Sequence, residues 1–75
     1  MEKKKATHEI EGYLVVLAHV RNVYPVEEER GDRLWYWGFK YADGFFENFV
    51  YRNKKKAEKA RGDFVASLEN YWERN

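Results

Sequence analysis

Cysteine is absent from this 75-residue chain, and proline occurs once. The absence of thiols excludes disulfide bridges and thiolate metal sites, and it is typical of proteins that work in a reducing compartment. The longest apolar run, from Tyr13 to Ala18, is far shorter than the roughly 20 residues of a membrane-spanning helix. No apolar stretch of the signal-peptide kind follows the basic start at Met1–Lys5. We therefore expect a cytoplasmic protein with no membrane partner.

Residue patterns for catalysis are also scarce. His8 and His19 lack the one-turn spacing of metal ligands, and Ser67 has no nucleophile-elbow glycines around it. The adjacent acids Glu27–Glu29 are more typical of a solvated loop than of a general acid and base, and no glycine-rich phosphate loop is present. The sequence therefore predicts no enzymatic activity, no catalytic residue, no metal, no cofactor and no small-molecule substrate.

What the chain has in quantity is aromatic residues and charge, at 19% and 36% of its residues. A chain this short buries only about 60% of its unfolded surface, so it forms one domain in which each large ring matters. The net charge of +1 favours no class of partner, but the charges are segregated along the chain. Six basic residues and one acid lie between Arg52 and Arg61, whereas Glu27–Glu29 is acidic.

The hydrophobic pattern predicts an α+β fold, a three-stranded antiparallel sheet with one C-terminal helix packed on one face. Tyr13–Val23 is rich in β-branched residues and is interpreted as the first strand, ended by Pro25, although Ile10, Leu14 and Leu17 also fall at helical spacing. An acidic connection follows from Val26 to Asp32. Residues 1–8 are interpreted as a flexible, lysine-bearing arm, and residues 9–75 as the domain.

Asp43-Gly44 lies between two aromatic runs and predicts a tight type I′ hairpin turn. A two-residue turn there places Lys40 opposite Glu47 and Tyr36 opposite Tyr51. Alternation then assigns to the core face of the sheet Trp35, Trp37, Phe39, Tyr41, Phe46, Asn48, Val50 and Arg52, joined by Leu14, Val16, Ala18 and Val20. The same alternation directs outward Tyr13, Val15, Leu17, His19, Arg21, Leu34, Tyr36, Lys40, Glu47, Phe49 and Tyr51.

Asn53 is a favourable N-cap for a helix that runs to about Trp72. One apolar stripe recurs along it at steps of three and four residues, comprising Ala57, Ala60, Phe64, Leu68 and Tyr71. Gly62 interrupts the helix and is interpreted as a point of close packing on the sheet. Lys54, Lys55 and Lys56 occupy the first turn, where free backbone N–H groups bind anions, so they are either a phosphate site or a solubility feature.

The outward sheet face carries aromatic residues among cations and is the predicted partner-binding surface, comprising Tyr13, His19, Arg21, Tyr36, Lys40, Phe49 and Tyr51. Such a surface suits a protein partner, including a second copy of the chain, because Tyr and Arg are frequent hot-spot residues. It also suits nucleic acid, through base stacking and phosphate contact. A third interpretation is that the tyrosines cover one another. Stand-alone domains of this kind are common among phage and mobile-element inhibitors, anti-CRISPR proteins included, which favours an adaptor or inhibitor.

The segment from Trp37 to about Leu68 resembles the small β-β-β-α DNA-binding domains of the AP2 type, including the arm-binding domains of tyrosine-type integrases. The resemblance lies in the turn at Asp43-Gly44, in Phe49 and Tyr51, and in the helix start Lys55–Ala60. It covers less than half of the chain. It implies a sheet face that enters the DNA major groove, with Arg21, Tyr36, Lys40 and Tyr51 at bases or phosphates.

Overall fold

The computed structural model describes residues 6–31 and 33–73 as an α+β fold with one C-terminal helix, as predicted. The described part of the chain has six strands in two antiparallel sheets, so the prediction of a single three-stranded sheet is wrong. In chain order the elements are β1 Thr7–Ile10, β2 Tyr13–Val16, a 3-10 turn Leu17–His19, β3 Val20–Val23, β4 Glu27–Glu29, β5 Leu34–Tyr41, β6 Phe46–Tyr51 and α1 Lys54–Glu73.

Strand β5 is the centre of the larger sheet. It pairs with β6 along one edge, whereas β3 and β4 lie end to end along the other. Pro25 separates β3 from β4, as expected of a residue that cannot donate to a ladder. The predicted acidic connection is therefore wrong at Glu27–Glu29, which form a short edge strand, while Asp32 lies outside the described residues.

Strands β1 and β2 form a separate hairpin. Its two-residue loop is Glu11-Gly12, with φ of 50° and 81°, the left-handed geometry of a type I′ turn. The predicted flexible arm is thus wrong for Thr7 and His8, which pair with β2, and residues 1–5 lie outside the described part of the chain.

The predicted faces of the first strand are wrong over residues 14–18. Val15 and Leu17 are fully buried, whereas Leu14, Val16 and Ala18 are exposed. The reason is that Tyr13–Val23 is not one strand: the 3-10 turn at Leu17–His19 interrupts the alternation, and β2 belongs to another sheet. Val20, beyond the turn, is buried as predicted.

The hairpin between β5 and β6 has a three-residue loop, Ala42-Asp43-Gly44, instead of the predicted two-residue loop. The Tyr41 N–H donates to the Phe45 carbonyl at 2.8 Å, and Gly44 adopts a φ of +97°. A type I turn followed by a left-handed glycine is the usual form of this loop. The Asp43 carboxylate closes it by accepting the Phe45 N–H at 3.1 Å.

This loop shifts the register by one residue, so that Trp37 pairs with Phe49 and Tyr36 with Val50. Because side chains alternate along a strand, a one-residue shift moves every residue of β6 to the opposite face. Phe49 and Tyr51 therefore face the core, together with the correctly predicted Trp35, Trp37, Phe39 and Tyr41. The prediction is wrong for the residues that it assigns to the core face but that are exposed, namely Phe46, Asn48, Val50 and Arg52.

The core is an aromatic cluster between the larger sheet and the helix. Trp37, Phe39 and Phe64 are fully buried, and the rings of Phe39 and Phe64 stack with centroids 4.9 Å apart. The predicted helix stripe is confirmed, with Ala57 and Leu68 also buried and Ala60 and Tyr71 partly buried. Gly62 is exposed, and apart from its chain neighbours and the adjacent helix backbone no atom lies within 4 Å of the position that a Cβ would occupy. Its interpretation as a close-packing site is therefore wrong.

The β1–β2 hairpin packs beside the helix on the same side of the larger sheet. His8 is the link, because its Nδ1 lies 2.8 Å from the Ser67 hydroxyl and its ring contacts Phe64 edge-on at 5.5 Å. Ile10 of the hairpin is buried in the same cluster. Helix and hairpin together cover one face of the larger sheet and leave the other face without a covering element among the described residues.

Candidate interaction surface

The uncovered side of the larger sheet, here called the open face, is built by alternation along four strands. Residues paired directly across an antiparallel ladder share a face, so Asn22 and Lys40 lie together, as do Glu27, Tyr36 and Val50. The side chains of the open face are those of Asn22, Tyr24, Glu27, Glu29, Leu34, Tyr36, Lys40, Phe46, Asn48 and Val50.

Gly38 lies at the middle of the open face, and its missing side chain shapes that face. The rings of Tyr24 and Phe46, from opposite edges of the sheet, approach with centroids 5.9 Å apart. A Cβ at position 38 would collide with the Glu47 carbonyl oxygen and the Asn48 side chain. The result is a shallow groove of about 260 Å³, whose lining includes Tyr24, Pro25, Glu27, Tyr36, Gly38, Phe46 and Asn48.

Large apolar side chains of the open face are exposed to solvent. Phe46 is 57% exposed, Val50 60% and Tyr24 37%, whereas the core rings of Trp37, Phe39 and Phe64 are fully buried. The Lys40 ammonium lies 5.7 Å from the centroid of the Phe46 ring, a cation–π contact at the rim of the groove. The open face is therefore apolar at its centre and charged at its rim, as protein interfaces are.

The charges of the open face divide between its two ends. Glu27 lies beside Tyr36 near the start of β5, and Lys40 lies near the end of the same strand. Among the described residues the one ion pair within 4 Å joins Lys59 and Asp63 on the helix, so the charges of the open face have no ionic partner there.

Two of the predicted partner-binding residues, Tyr36 and Lys40, lie on the open face. Phe49 and Tyr51 do not, because the register of β6 turns them toward the core. Phe49 packs on Trp37 with ring centroids 5.3 Å apart, and the Tyr51 hydroxyl is buried without a hydrogen-bond partner. Their assignment to an outward face is therefore wrong.

Tyr13 and His19 lie at a second concave surface, beside the β5–β6 loop. This groove of about 420 Å³ is lined by Tyr13, Leu14, Val16, His19, Tyr41, Ala42 and Asp43. The Tyr13 hydroxyl donates to Glu47 Oε1 at 3.2 Å and lies 3.3 Å from the Tyr41 hydroxyl. Burial raises the pKa of Tyr41, and the hydrogen bond with Tyr13 and the nearby charges of Glu47 and Asp43 raise it further.

Arg21 lines neither of the two grooves. It is the extra residue of a bulge between Val20 and Asn22, and its guanidinium donates to the Ala18 and Val20 carbonyls at 3.0 and 3.1 Å. The guanidinium of Arg21 is therefore engaged by backbone carbonyls of its own segment.

Lys54, Lys55 and Lys56 are exposed in the first turn of the helix. The Asn53 side chain accepts the Lys56 N–H at 3.1 Å, which confirms the predicted N-cap and occupies one of the donors that an anion would need. The described residues contain no group of three or more His, Cys, Asp or Glu side chains placed to hold a metal ion. No helix in the described part of the chain is long and apolar enough to cross a membrane.

The sequence prediction misses Tyr24, Phe46 and Val50 as members of the exposed surface. Tyr24 precedes Pro25 and falls outside the predicted first strand, while Phe46 and Val50 are assigned to the wrong face by the two-residue loop. The correct face of Phe46 and Val50 is compatible with the sequence, because Asp followed by Gly also fits the last two positions of a three-residue loop.

Comparison of the chain with models of known protein families, with curated proteins and with solved structures found no match.

Proposed function

We propose that this chain is a small non-enzymatic binding module, an adaptor or inhibitor, that recognises another protein through its open face. The observation that carries the proposal is the exposed aromatic groove over Gly38, flanked by Tyr24, Tyr36 and Phe46. Exposed apolar surface that is concentrated in one patch with a polar rim marks interaction sites on small soluble domains.

The chemistry of the groove favours a protein over nucleic acid. Aromatic side chains supply large, rigid contact area, and residues of this kind dominate the binding energy of protein interfaces. Glu27 lies within the groove lining, where a phosphate backbone would be repelled. The partner best suited to the groove offers an apolar anchor with charged groups around it, acidic toward Lys40 and basic toward Glu27.

Nucleic acid is the second candidate, supported by the exposed lysines Lys54–Lys56 and by the resemblance to AP2-type domains. This alternative predicts binding that weakens steeply with salt, because phosphate contacts release counterions. Titration of labelled single- and double-stranded DNA and RNA tests it at low ionic strength. If no nucleic acid binds at low ionic strength, this alternative is excluded. If binding survives the triple variant with Lys54→Ala, Lys55→Ala and Lys56→Ala, the three lysines do not contribute to it.

The test of the main proposal is site-specific photo-crosslinking in a lysate of the source cells. A photoreactive residue at position 36 lies in the groove, and the same residue at position 58 lies on the exposed side of the helix as a matched control. We expect one defined protein adduct from position 36 and none from position 58. The adduct should be lost with Tyr24→Ala and resist nuclease treatment. Equal labelling from both positions would contradict the proposal.

A further inference from the structure

The two edges of the larger sheet differ in how well they are protected against pairing with a strand of another chain. The edge formed by β3 and β4 carries a bulge at Arg21, the single proline, and three consecutive glutamates. Bulges, proline and charge are the devices by which proteins prevent strands from pairing with other chains. The edge formed by β6 has no bulge and no proline over Phe46–Tyr51, and its one charged residue is Glu47. Among the described strands β6 pairs with β5 alone.

The hydrogen-bonding groups on the β6 edge can be assigned from the ladder. The bond from the Tyr41 N–H to the Phe45 carbonyl sets the alternation, so Glu47, Phe49 and Tyr51 exchange bonds with β5. On the other edge of β5, the Gly38 carbonyl accepts the Tyr24 N–H at 2.8 Å, consistent with this assignment. The N–H and C=O groups of Phe46, Asn48 and Val50 are thus directed away from the sheet.

We propose that β6 pairs antiparallel with β6 of a second copy of this chain, so that two larger sheets join into one across a two-fold axis. The occupant is argued from the strand itself. Six residues with three aromatics and one valine have high β-propensity, and the two most exposed large apolar side chains of the strand, Phe46 and Val50, lie near its two ends.

The register of this pairing follows from two conditions. The first condition is that directly opposed residues share a face, so one strand can shift relative to the other only in steps of two residues. The second is that as many outward-directed residues as possible are paired. One alignment pairs all three outward-directed residues, with Asn48 opposite Asn48 of the second copy and Phe46 opposite Val50 of the second copy. It yields two aromatic–β-branched pairs on the open face, which are among the favourable cross-strand pairs. The alignment shifted to place Glu47 opposite Glu47 is disfavoured by like charge.

This inference goes beyond the proposed function, because it concerns the edge of the sheet and a second copy, whereas the groove over Gly38 takes a different protein. In the dimer the two open faces become continuous on one side, and both helices lie on the other. The groove of each copy therefore remains accessible when β6 is paired.

The first test is the molar mass in solution by sedimentation equilibrium over a concentration series. We expect a dimer of twice 9.1 kDa that dissociates on dilution. Val50→Pro removes an outward-directed N–H and should yield a monomer with an unchanged circular dichroism spectrum. Glu28→Pro is the matched control, since its N–H is outward-directed on the opposite edge, and it should leave the dimer intact.

The second test uses the absence of cysteine, which allows a single thiol to report the register. Opposed residues in a hydrogen-bonded antiparallel pair have Cα atoms about 5.5 Å apart, within disulfide reach. Asn48→Cys should therefore form a disulfide-linked dimer under mild oxidation. Phe46→Cys should not, because two residues at position 46 are roughly 14 Å apart in this register.

A monomer at every concentration would overturn the inference, as would a dimer that survives Val50→Pro in folded protein. If Val50→Pro does not fold, the cysteine pair decides, since both variants keep the backbone. Cross-linking of Phe46→Cys as rapid as that of Asn48→Cys contradicts the register. A dimer lost with Tyr24→Ala and Tyr36→Ala together would instead place the contact on the open face.

Discussion

At the scale of single residues, Gly38 and Tyr51 decide how the two central strands fit together. Gly38 is buried opposite Asn48 of β6, and a Cβ at this position would meet the backbone of β6, which cannot move aside. Tyr51 fills space on the covered face at the cost of a buried hydroxyl group without a partner. Gly38 is thus required because it has no side chain, and Tyr51 is tolerated because its ring fills space in the core.

Gly38→Ala should destabilise the protein, because the new Cβ collides with the Glu47 carbonyl and displaces Asn48 from above the strand. We expect a loss of about 1–3 kcal/mol in the free energy of unfolding, the usual cost of overpacking. Chemical denaturation followed by tryptophan fluorescence measures it.

The matched control is Gly62→Ala, whose added methyl group has no neighbour within 4 Å apart from its own stretch of the helix. It should raise the free energy of unfolding by about 0.5–1 kcal/mol, since alanine is the better helix former. A Gly38→Ala variant as stable as Gly62→Ala would contradict the packing described around β5.

Tyr51→Phe should leave the protein unchanged in stability or more stable by up to about 1 kcal/mol. The reason is that the hydroxyl is buried without a hydrogen bond, so nothing compensates for its loss of contact with water. Removing the hydroxyl removes that cost. The indole N–H of Trp37 lies near enough to act on the Tyr51 hydroxyl, but the two groups do not meet hydrogen-bond geometry. A loss above about 1 kcal/mol in thermal or urea unfolding would show that the hydroxyl has a partner after all.

At the scale of elements, the length of a loop determines which face of the following strand is buried, and the N-cap determines where the helix begins. The three-residue loop before β6 decides which of its side chains reach the core, and no residue within β6 could reveal this by its type, since both faces carry aromatic or aliphatic residues. The helix start is different, because Asn53 acts locally on the N–H of Lys56. Local interactions of this kind are readable from sequence.

Asn53→Ala should lower the free energy of unfolding by about 1 kcal/mol, because the Lys56 N–H loses its acceptor. Asn53→Asp keeps an acceptor at the same position and should retain most of the stability. Urea unfolding of the three proteins in parallel measures the difference. An alanine variant equal to the wild type would show that water replaces the cap at no cost.

At the scale of the whole molecule, one aromatic core holds the helix, the hairpin and the larger sheet together. Phe64 of the helix contacts Trp37, Phe39 and His8, which come from two different sheets. A domain of this size has little other apolar area to bury, so its stability is concentrated in these contacts. Ionisation of groups at the edge of the core therefore affects the entire fold.

Stability should fall at alkaline pH. Burial raises the pKa of both Tyr41 and Tyr51 above the ordinary value of about 10. The folded protein then holds protons that the unfolded chain releases, so the contribution of these two groups to the free energy of unfolding is constant below about pH 10 and decreases above it. Urea unfolding at a series of pH values measures the slope. The variant with Tyr41→Phe and Tyr51→Phe should show a smaller decrease, and an equal decrease would exclude these two groups as its source.

The sequence by itself determined the elements that depend on local chemistry: the helix after Asn53 with its stripe of Ala57, Phe64 and Leu68, the hairpin at Asp43-Gly44, and the covered face of β5. Only the tertiary structure decided which side of β6 is buried, that Tyr13–Val23 divides between two sheets, and that His8 reaches the helix. The physical reason is that periodicity divides a strand into two faces, and residue type shows which face is covered only where the two differ, as they do in β5 but not in β6. One residue in a loop or one 3-10 turn then exchanges the two faces. The sequence therefore predicted that one sheet face exposes aromatic residues, but the pairing of strands distant in the chain determined which residues form that face.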